Sequence, residues 1–180
     1  MPAIPHERSQ TAELEEFCRS EHVRLVGLLT LHVGDVGTAE ELAQDAFARV
    51  CEHWPRVSEM ANRRAWLNRV ALNLANSWFR RKGAERRARA RHRPDLDVPR
   101  EADSADAIAV REAVAALPCR QRMALVLRYY EDLSVAQTSE VMGCADGTVK
   151  ALTHHAIRAL RDHAGLLDLT IDLEEAAHVN

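Results

Sequence analysis

The sequence predicts an all-α protein: two small helical domains joined by a flexible linker. Three features of its 180 residues carry this expectation. Aromatics make up only 4% while hydrophobic residues reach 47%, so Ala and Leu supply most of the packing, as helical proteins do. Apolar residues recur at three- and four-residue spacing in one segment after another, the period of a helix. Between these segments RPDLDVPREADSA (93–105) holds two prolines, several acids and little apolar material, which is linker composition.

In chain order, residues 1–9 read as a disordered tip. From Glu13, the residues Leu14, Phe17, Cys18, Leu25, Leu28 and Leu29 mark an amphipathic helix that ends in the Gly34-Asp35-Val36-Gly37 turn. Thr38 and Glu41 form a capping box that opens a second helix to about His53, with Leu42, Ala46, Phe47, Val50 and Cys51 as its apolar stripe. The opposite face carries Glu40, Glu41, Gln44, Asp45 and Arg49. Such a face is either simply solvated or an acidic dock for a basic partner.

Trp54-Pro55 breaks that helix, and Arg56 to Ala61 reads as a loop. Asn62 caps a third helix with Trp66, Val70, Leu74 and Trp78 on its inward side. Arg63, Arg64, Arg69, Asn73 and Asn76 lie on or beside its polar side. Arginine binds phosphate or guanine, asparagine pairs with an adenine edge, and exposed bases stack on rings. A core helix with a solvated basic end has the same composition, so both readings stand at this point. The second module starts near Asp106, with Ile108, Val110, Val114 and Leu117 on its first helix. Pro118 opens the next, which carries Met123, Val126, Leu127 and Tyr130.

The last stretch is the most specific. Ser134 and Gln137 form a capping box, and Gly143 stops the short helix they begin. Asp146 then caps a longer helix, with Val149, Thr153, Ala156, Ile157 and Leu160 facing inward. A capped short helix, a glycine turn and a half-polar helix make a helix-turn-helix, whose second helix lies in a DNA major groove. A plain helical hairpin is the bland alternative.

The net charge of −3 conceals an asymmetry. Arg80, Arg81, Lys82, Arg86, Arg87, Arg89, Arg91 and Arg93 crowd one segment with Glu85 as its sole acid, while Asp168, Asp172, Glu174 and Glu175 make the tail acidic. A nucleic-acid backbone meets the local distribution, not the average. No apolar run reaches membrane-span length and MPAIPHERSQ lacks an apolar leader core, so a cytoplasmic protein without membrane contact is expected. Cys18, Cys51, Cys119 and Cys144 are scattered without a CxxC pair, which suits thiols filling helix faces better than disulfides or zinc. No glycine-rich phosphate loop, nucleophile elbow or metal-spaced His/Cys set occurs, so catalytic residues, metal and cofactor are all expected to be absent. Cys18 and His22 lie one helical turn apart, but two residues do not make a zinc site.

Three blocks together resemble the extracytoplasmic-function (ECF) sigma factors of bacterial RNA polymerase, particularly the sigma-E-like group of actinobacteria. They are Gly34-Asp35 with AEELAQDAF (39–47), AWLNRVALNLANSWFRR (65–81), and LPCRQRMALVLRYYEDLS (117–134) leading into GCADGTVK (143–150). The resemblance runs from about Phe17 to Arg161. It implies sigma region 2 at 10–82, a basic then acidic linker at 83–106, sigma region 4 at 107–163 and an added acidic tail at 164–180.

By the resemblance, Glu40, Glu41, Gln44, Asp45 and Arg49 dock on the β′ coiled coil of core RNA polymerase, and the second domain meets the β flap. The Trp54 to Asn62 loop captures a flipped promoter base. The −10 contacts fall to Trp54, Arg56, Asn62, Arg63, Arg64, Trp66, Arg69 and Asn73, with Arg80 and Arg81 on duplex phosphates. The −35 contacts fall to Ser134, Thr148, Lys150, Ala151, Leu152, His154, His155 and Arg158. Promoter DNA, core polymerase and an anti-sigma factor are the implied partners.

The chain departs from the family pattern at Ala151, Leu152 and His155, where hydroxyl, amide or basic residues are usual, and at Thr138, Ser139 and Thr153, where apolar or small ones are. Fewer charge contacts imply a weak or unusual −35 element. Buried hydroxyls without partners cost the local core about 1 kcal/mol each. Competing with a sigma factor are a helix-turn-helix regulator that works without polymerase and a sigma-like remnant that binds polymerase without starting transcription. A regulator has no need of the first two blocks.

Overall fold

The computed structural model describes the backbone of residues 5–89 and 112–162. These are helical between short turns, with no strand among the described residues. The helices are α1 (Pro5–Val33), α2 (Val36–Val57), α3 (Arg63–Arg89), α4 (112–116), α5 (Cys119–Tyr129), α6 (Val135–Met142) and α7 (Asp146–Asp162). The chain forms two compact units, Met1–Leu74 and Ala75–Asn180, with the division falling inside α3. The linker from residue 90, Ile108, Val110 and the acidic tail from 164 lie outside the described residues.

In the first unit α1 and α2 pack antiparallel, since Phe17 meets Trp54 (ring centroids 5.7 Å apart) while His22 meets Phe47 (6.0 Å). Leu25, Leu28 and Leu29 of α1 and Ala39, Leu42, Ala43, Ala46, Val50, Trp54 and Val57 of α2 are all buried. The alanines let the two backbones approach closely. Gly34, at φ 84°, ends α1 in the left-handed region, and its N–H donates to the Thr30 carbonyl at 2.8 Å.

Several sequence boundaries move. Residues 5–9 are not a tip but the start of α1, with Pro5 first, where its missing N–H costs nothing. The cap of α2 is Asp35, not Thr38: Asp35 Oδ1 accepts from the Thr38 N–H at 2.7 Å, so the helix begins at Val36. A charged acceptor at a helix start outcompetes a hydroxyl further in. Pro55 does not break α2, which runs on to Val57. It lies in the last turn, so its ring sacrifices one hydrogen bond, and Ser58 N–H still reaches the Trp54 carbonyl at 2.8 Å. The basic residues 83–89 continue α3 rather than begin a linker.

The inward side of α3 is Leu67, Asn68, Ala71, Leu72 and Ala75. Trp66, Val70, Leu74 and Trp78 flank it half-buried. The apolar stripe expected through the largest rings lies one residue, about 100°, from the buried line.

A buried carboxylate ties α3 to α1. Glu21, 5% exposed, accepts from Arg64 Nε (3.1 and 3.2 Å) and Nη2 (2.9 Å) and from Arg24 Nε (2.6 Å). Arg24 Nη2 also donates to Asn68 Oδ1 at 3.1 Å, which gives that buried amide a partner. Burial alone pushes the Glu21 carboxyl up, but the bonds from Arg64 and Arg24 outweigh it and hold the group below the usual glutamate range.

The second unit is centred on α5, whose residues Arg122 to Arg128 are all buried. A helix covered on every side is the centre of its module. Leu125 packs with Ala113, Val114 and Leu117 from the α4 segment and with Ala156, Ile157 and Leu160 of α7. The two arginines serve the backbone: Arg122 Nη2 donates to the Ala115 (2.5 Å) and Leu117 (3.0 Å) carbonyls, and Arg128 donates to the Leu133 carbonyl. Tyr130, expected inward, is exposed because α5 ends at Tyr129.

The Glu21 linkage makes the first unit acid-sensitive. A folded-state pKa below the unfolded one gives stability that is complete above the ordinary value of about 4.3 and lost as pH falls through the folded pKa. Glu21→Gln should cost roughly 2 kcal/mol at neutral pH, less than a fully buried pair because Arg64 reaches solvent. It should also flatten the decline of stability below pH ~4.5. Denaturant melts across pH check both effects, and an unchanged acid limb would remove Glu21 from the account.

Candidate polymerase and nucleic-acid interface

Burying one side of α2 fixes what the other side can do. With Leu42, Ala43, Ala46 and Val50 inward, the residues Glu40, Glu41, Gln44, Asp45 and Arg49 are all exposed. Among the described residues none of the five engages in an ion pair or side-chain hydrogen bond. The surface is acidic and presented on a rigid helix. Cys51, expected on the apolar stripe, is exposed instead.

The turn between α2 and α3 is short, Ser58 to Asn62. Asn62 Oδ1 accepts from the Ala65 N–H at 2.9 Å, the expected cap. Trp54, named above as a base contact, is a core residue 4% exposed, packed on Phe17 and roofed by the Arg63 guanidinium 5.5 Å from its ring. Arg63 is itself held by Glu13 Oε1 (2.7 Å) and the Ser58 carbonyl (2.7 Å). Arg64 is held by Glu21. These two arginines build the scaffold of the turn, and sequence reasoning missed Glu13 and Glu21 as their partners. The signal was present but weak: two acids and two arginines on separate helices, with no local spacing to join them.

What remains outward in this unit is Arg56, Arg69 and Asn73, all exposed, with Trp66 half-buried beside His53 (6.1 Å, edge-on). Asn62, Trp66, Arg69 and Asn73 follow one another at four, three and four residues, so they share one face of the helix. A capping amide, a ring edge, a guanidinium and a second amide in a row can contact bases and phosphates together. In the second unit, α3 exposes Arg80 and Arg81, and Lys82 Nζ sits 4.4 Å over the Trp78 ring.

The helix-turn-helix forms as its local chemistry dictates. Gln137 N–H donates to Ser134 Oγ (3.2 Å) and Ser134 N–H to Gln137 Oε1 (2.8 Å), the reciprocal capping box. Gly143 at φ 62° ends α6 in the left-handed region, where a side chain is strained. The helix α7 starts at Asp146 rather than after it: the Ala145 carbonyl takes the first bonds from Thr148 (2.8 Å) and Val149 (3.2 Å). Asp146 instead lies in the first turn, where an acid complements the helix dipole.

Val149, Thr153, Ala156, Ile157 and Leu160 are inward as expected. That leaves Thr148, Lys150, Ala151, His154, His155 and Arg158 exposed, with Leu152 half-buried. The His154 and His155 rings meet edge-on at 5.9 Å. Only Lys150 and Arg158 bring permanent positive charge to this face, so its attraction for phosphate is modest. Ser134, also named as a contact, is half-buried and its hydroxyl holds the cap.

Two sigma-type regions match this arrangement. Residues 17–85 match the family model described as Sigma-70 region 2, and residues 107–160 match Sigma-70, region 4. The RNA polymerase sigma-E factor of Streptomyces antibioticus is 29% identical over 163 residues, 90% of either chain. The ECF RNA polymerase sigma factor SigL of Mycobacterium tuberculosis is 31% identical over 164 residues, covering 83% of this chain and 88% of that one. The sigma factor RpoE of Bartonella quintana, solved in complex with the anti-sigma factor NepR, shares the fold at 23% identity, TM-score 0.68, over 83% of this chain and 96% of that chain. The fold and its two outward helices are those of a sigma-70-type transcription-initiation factor. Within that class the chain belongs to the ECF RNA polymerase sigma factors, and it is an alternative sigma factor. No helix among the described residues is long and apolar enough to cross a membrane.

The unusual threonines have a measurable consequence. Thr138 (0% exposed) and Thr153 (8%) are both buried, and neither hydroxyl has a hydrogen-bond partner among the described residues. Ser139 escapes this by donating to the Ala136 carbonyl at 2.8 Å. Thr138→Val and Thr153→Val keep side-chain shape while removing the orphaned groups, so each should stabilise the second unit by about 1 kcal/mol. Chemical denaturation of the single and double variants checks this. Destabilisation by either would mean that its hydroxyl is satisfied in solution.

Proposed function

We propose that this sigma factor docks on core RNA polymerase through the outward face of α2, reads and opens the −10 element with the turn before α3 and with α3 itself, and reads a −35 element with α7. The division of labour follows the domains expected from the sequence: 10–82 for docking and −10 contact, 107–163 for −35 contact, and 83–106 between them. The observation that supports the docking role is the exposed set Glu40, Glu41, Gln44 and Asp45, with Arg49 beside it, none of them paired among the described residues. A dock that must meet a basic coiled coil needs carboxylates that nothing else in the domain has neutralised.

On α3 the exposed residues Arg69 and Asn73 take the base and phosphate contacts, with Asn62, Trp66 and Arg56 at the turn. Trp54 serves as the floor beneath that turn. Arg63 and Arg64 hold the turn in shape, and Arg80 and Arg81 meet duplex phosphates upstream. The subunit does no chemistry of its own, works in the cytoplasm alongside polymerase, and lends promoter choice and melting to the enzyme. An anti-sigma factor that covers the α2 and α3 surfaces is a natural regulator, as NepR is the partner of the Bartonella sigma factor.

A second reading, a sigma-like subunit that binds polymerase yet starts transcription poorly without help, draws on Ala151 and Leu152 at the recognition face and on the unpartnered Thr138 and Thr153 hydroxyls. Run-off transcription on genomic fragments with purified core polymerase separates the two. New start sites sharing two spaced elements support the main reading, and polymerase binding without start sites supports the second. Duplex binding without polymerase binding would reject both.

Two substitutions locate the surfaces. Reversing Glu41 and Asp45 to lysine should weaken core polymerase binding by roughly tenfold or more with the helical circular dichroism unchanged, and undiminished affinity would reject the α2 dock. Replacing Arg69 and Asn73 with alanine should lower open-complex formation by roughly tenfold while core binding holds, and equal losses in both would count against −10 contact.

A further inference from the structure

Two ring contacts set the register of α1 on α2. The Phe17–Trp54 pair lies on one side and the stacked His22–Phe47 pair (interplanar angle 11°) on the other. Cys18 stands one turn before His22, and Cys51 one turn after Phe47, so the two cysteines fall opposite each other between these contacts. Cys51 also bears on the Cys18 thiol, as side chains that face one another across the helix pair do. Cys51 is exposed and Cys18 half-buried. Cys119 and Cys144 belong to the other unit. No His, Cys, Asp or Glu group among the described residues is suited to hold a metal, so ligation does not account for the pairing.

We infer that Cys18 and Cys51 form a two-cysteine oxidation site that takes a small peroxide as its oxidant and closes to an intramolecular disulfide joining α1 to α2. A disulfide needs its two Cα atoms within roughly 7 Å of each other, which facing positions on adjoining helices can meet. Exposure assigns the roles. Cys51, open to solvent, attacks one peroxide oxygen as its thiolate; the O–O bond breaks, hydroxide leaves, and Cys51 becomes a sulfenic acid. The Cys18 sulfur then attacks the Cys51 sulfur, the S–S bond forms, and the S–O bond breaks with loss of water that carries the Cys18 proton. Overall, two thiols and one hydrogen peroxide give one disulfide and two waters.

Cys18 suits the second step better than the first. Burial, with the neighbouring Cys51 adding to it, pushes its thiol up to about 11, so it stays protonated until a sulfenic acid forms beside it. Cys51 also lies seven residues beyond Gln44 and eleven beyond Glu40, two and three turns along the same line of α2. The oxidised clamp would therefore border the acidic face on its α1 side.

The test uses the reduced full-length chain. After titration with hydrogen peroxide and blocking of free thiols with iodoacetamide, tryptic peptides are read by mass spectrometry. The expected product is 9–19 joined to 50–56, two hydrogens lighter than the separate peptides, released by dithiothreitol, with Cys119 and Cys144 alkylated throughout. The oxidised protein should melt roughly 10 °C higher in its first unit, because the bond closes a long loop of the unfolded chain. The exposed-site variant Cys51→Ser, checked for helicity, should leave Cys18 alkylatable at the same peroxide dose. Cys51 driven to sulfinic acid with Cys18 still alkylated would overturn the inference. So would a link from either residue to Cys119 or Cys144, or a dimer joined through Cys51.

Discussion

Glu21 is a carboxylate that this small domain has taken out of water, and the shape of the first unit depends on how that charge is met. Two guanidiniums reach it, Arg24 from its own helix and Arg64 from α3, and Arg24 passes on to the amide of Asn68. A lone buried carboxylate would be costly; one that accepts several bonds fixes the axial position of α3 on α1. The network therefore bears on which residues of α3 end up outward, and with them the face proposed to meet DNA.

The same economy governs the arginines. Of those clustered around the start of α3, Arg63 and Arg64 are bound to Glu13, Glu21, Ser58 and the Trp54 ring, whereas Arg56 and Arg69 point to solvent. A count of basic residues overstates the charge available to a phosphate backbone, since a guanidinium already neutralised by a carboxylate releases few counterions when DNA arrives. In α7 the contrast is simpler: the inward residues make the core, and outward Lys150 and Arg158 are offset by the exposed Asp146 and Asp162, so the net attraction of this helix for phosphate is small.

What could be read from the sequence was what local chemistry decides. The capping box at Ser134, the stop at Gly143, the cap at Asn62, the inward line of α7 and the exposed acids of α2 each depend on residues within one or two turns, and all stand in the structure. What was misread depended on partners far along the chain. The buried line of α3 runs through alanines and through Asn68, which takes a bond from Arg24 of α1, and no periodicity in α3 reveals that partner. Trp54 went astray for the same reason: its exposure depends on Phe17 and Arg63. At α2 the error was one of competition, since Asp35 and Thr38 are both good caps and only the geometry after Gly34 selects between them. Cys51 was placed inward on spacing that also fits the edge of the stripe.

Arg122 and Arg128 carry the second module in a way that separates its fold from its binding. Both are buried, and both hold main-chain carbonyls at the turns that enter and leave α5, bonds between a permanent cation and neutral backbone dipoles. Mobile ions reach exposed charges and screen them, but they do not penetrate to these carbonyls. If Lys150 and Arg158 hold phosphate as proposed, the ionic strength that strips it from them leaves α7 mounted in the same orientation. Release from a promoter and loss of the reading head are thus separate events, and a domain washed off DNA at high salt is immediately competent to bind again when the salt is diluted.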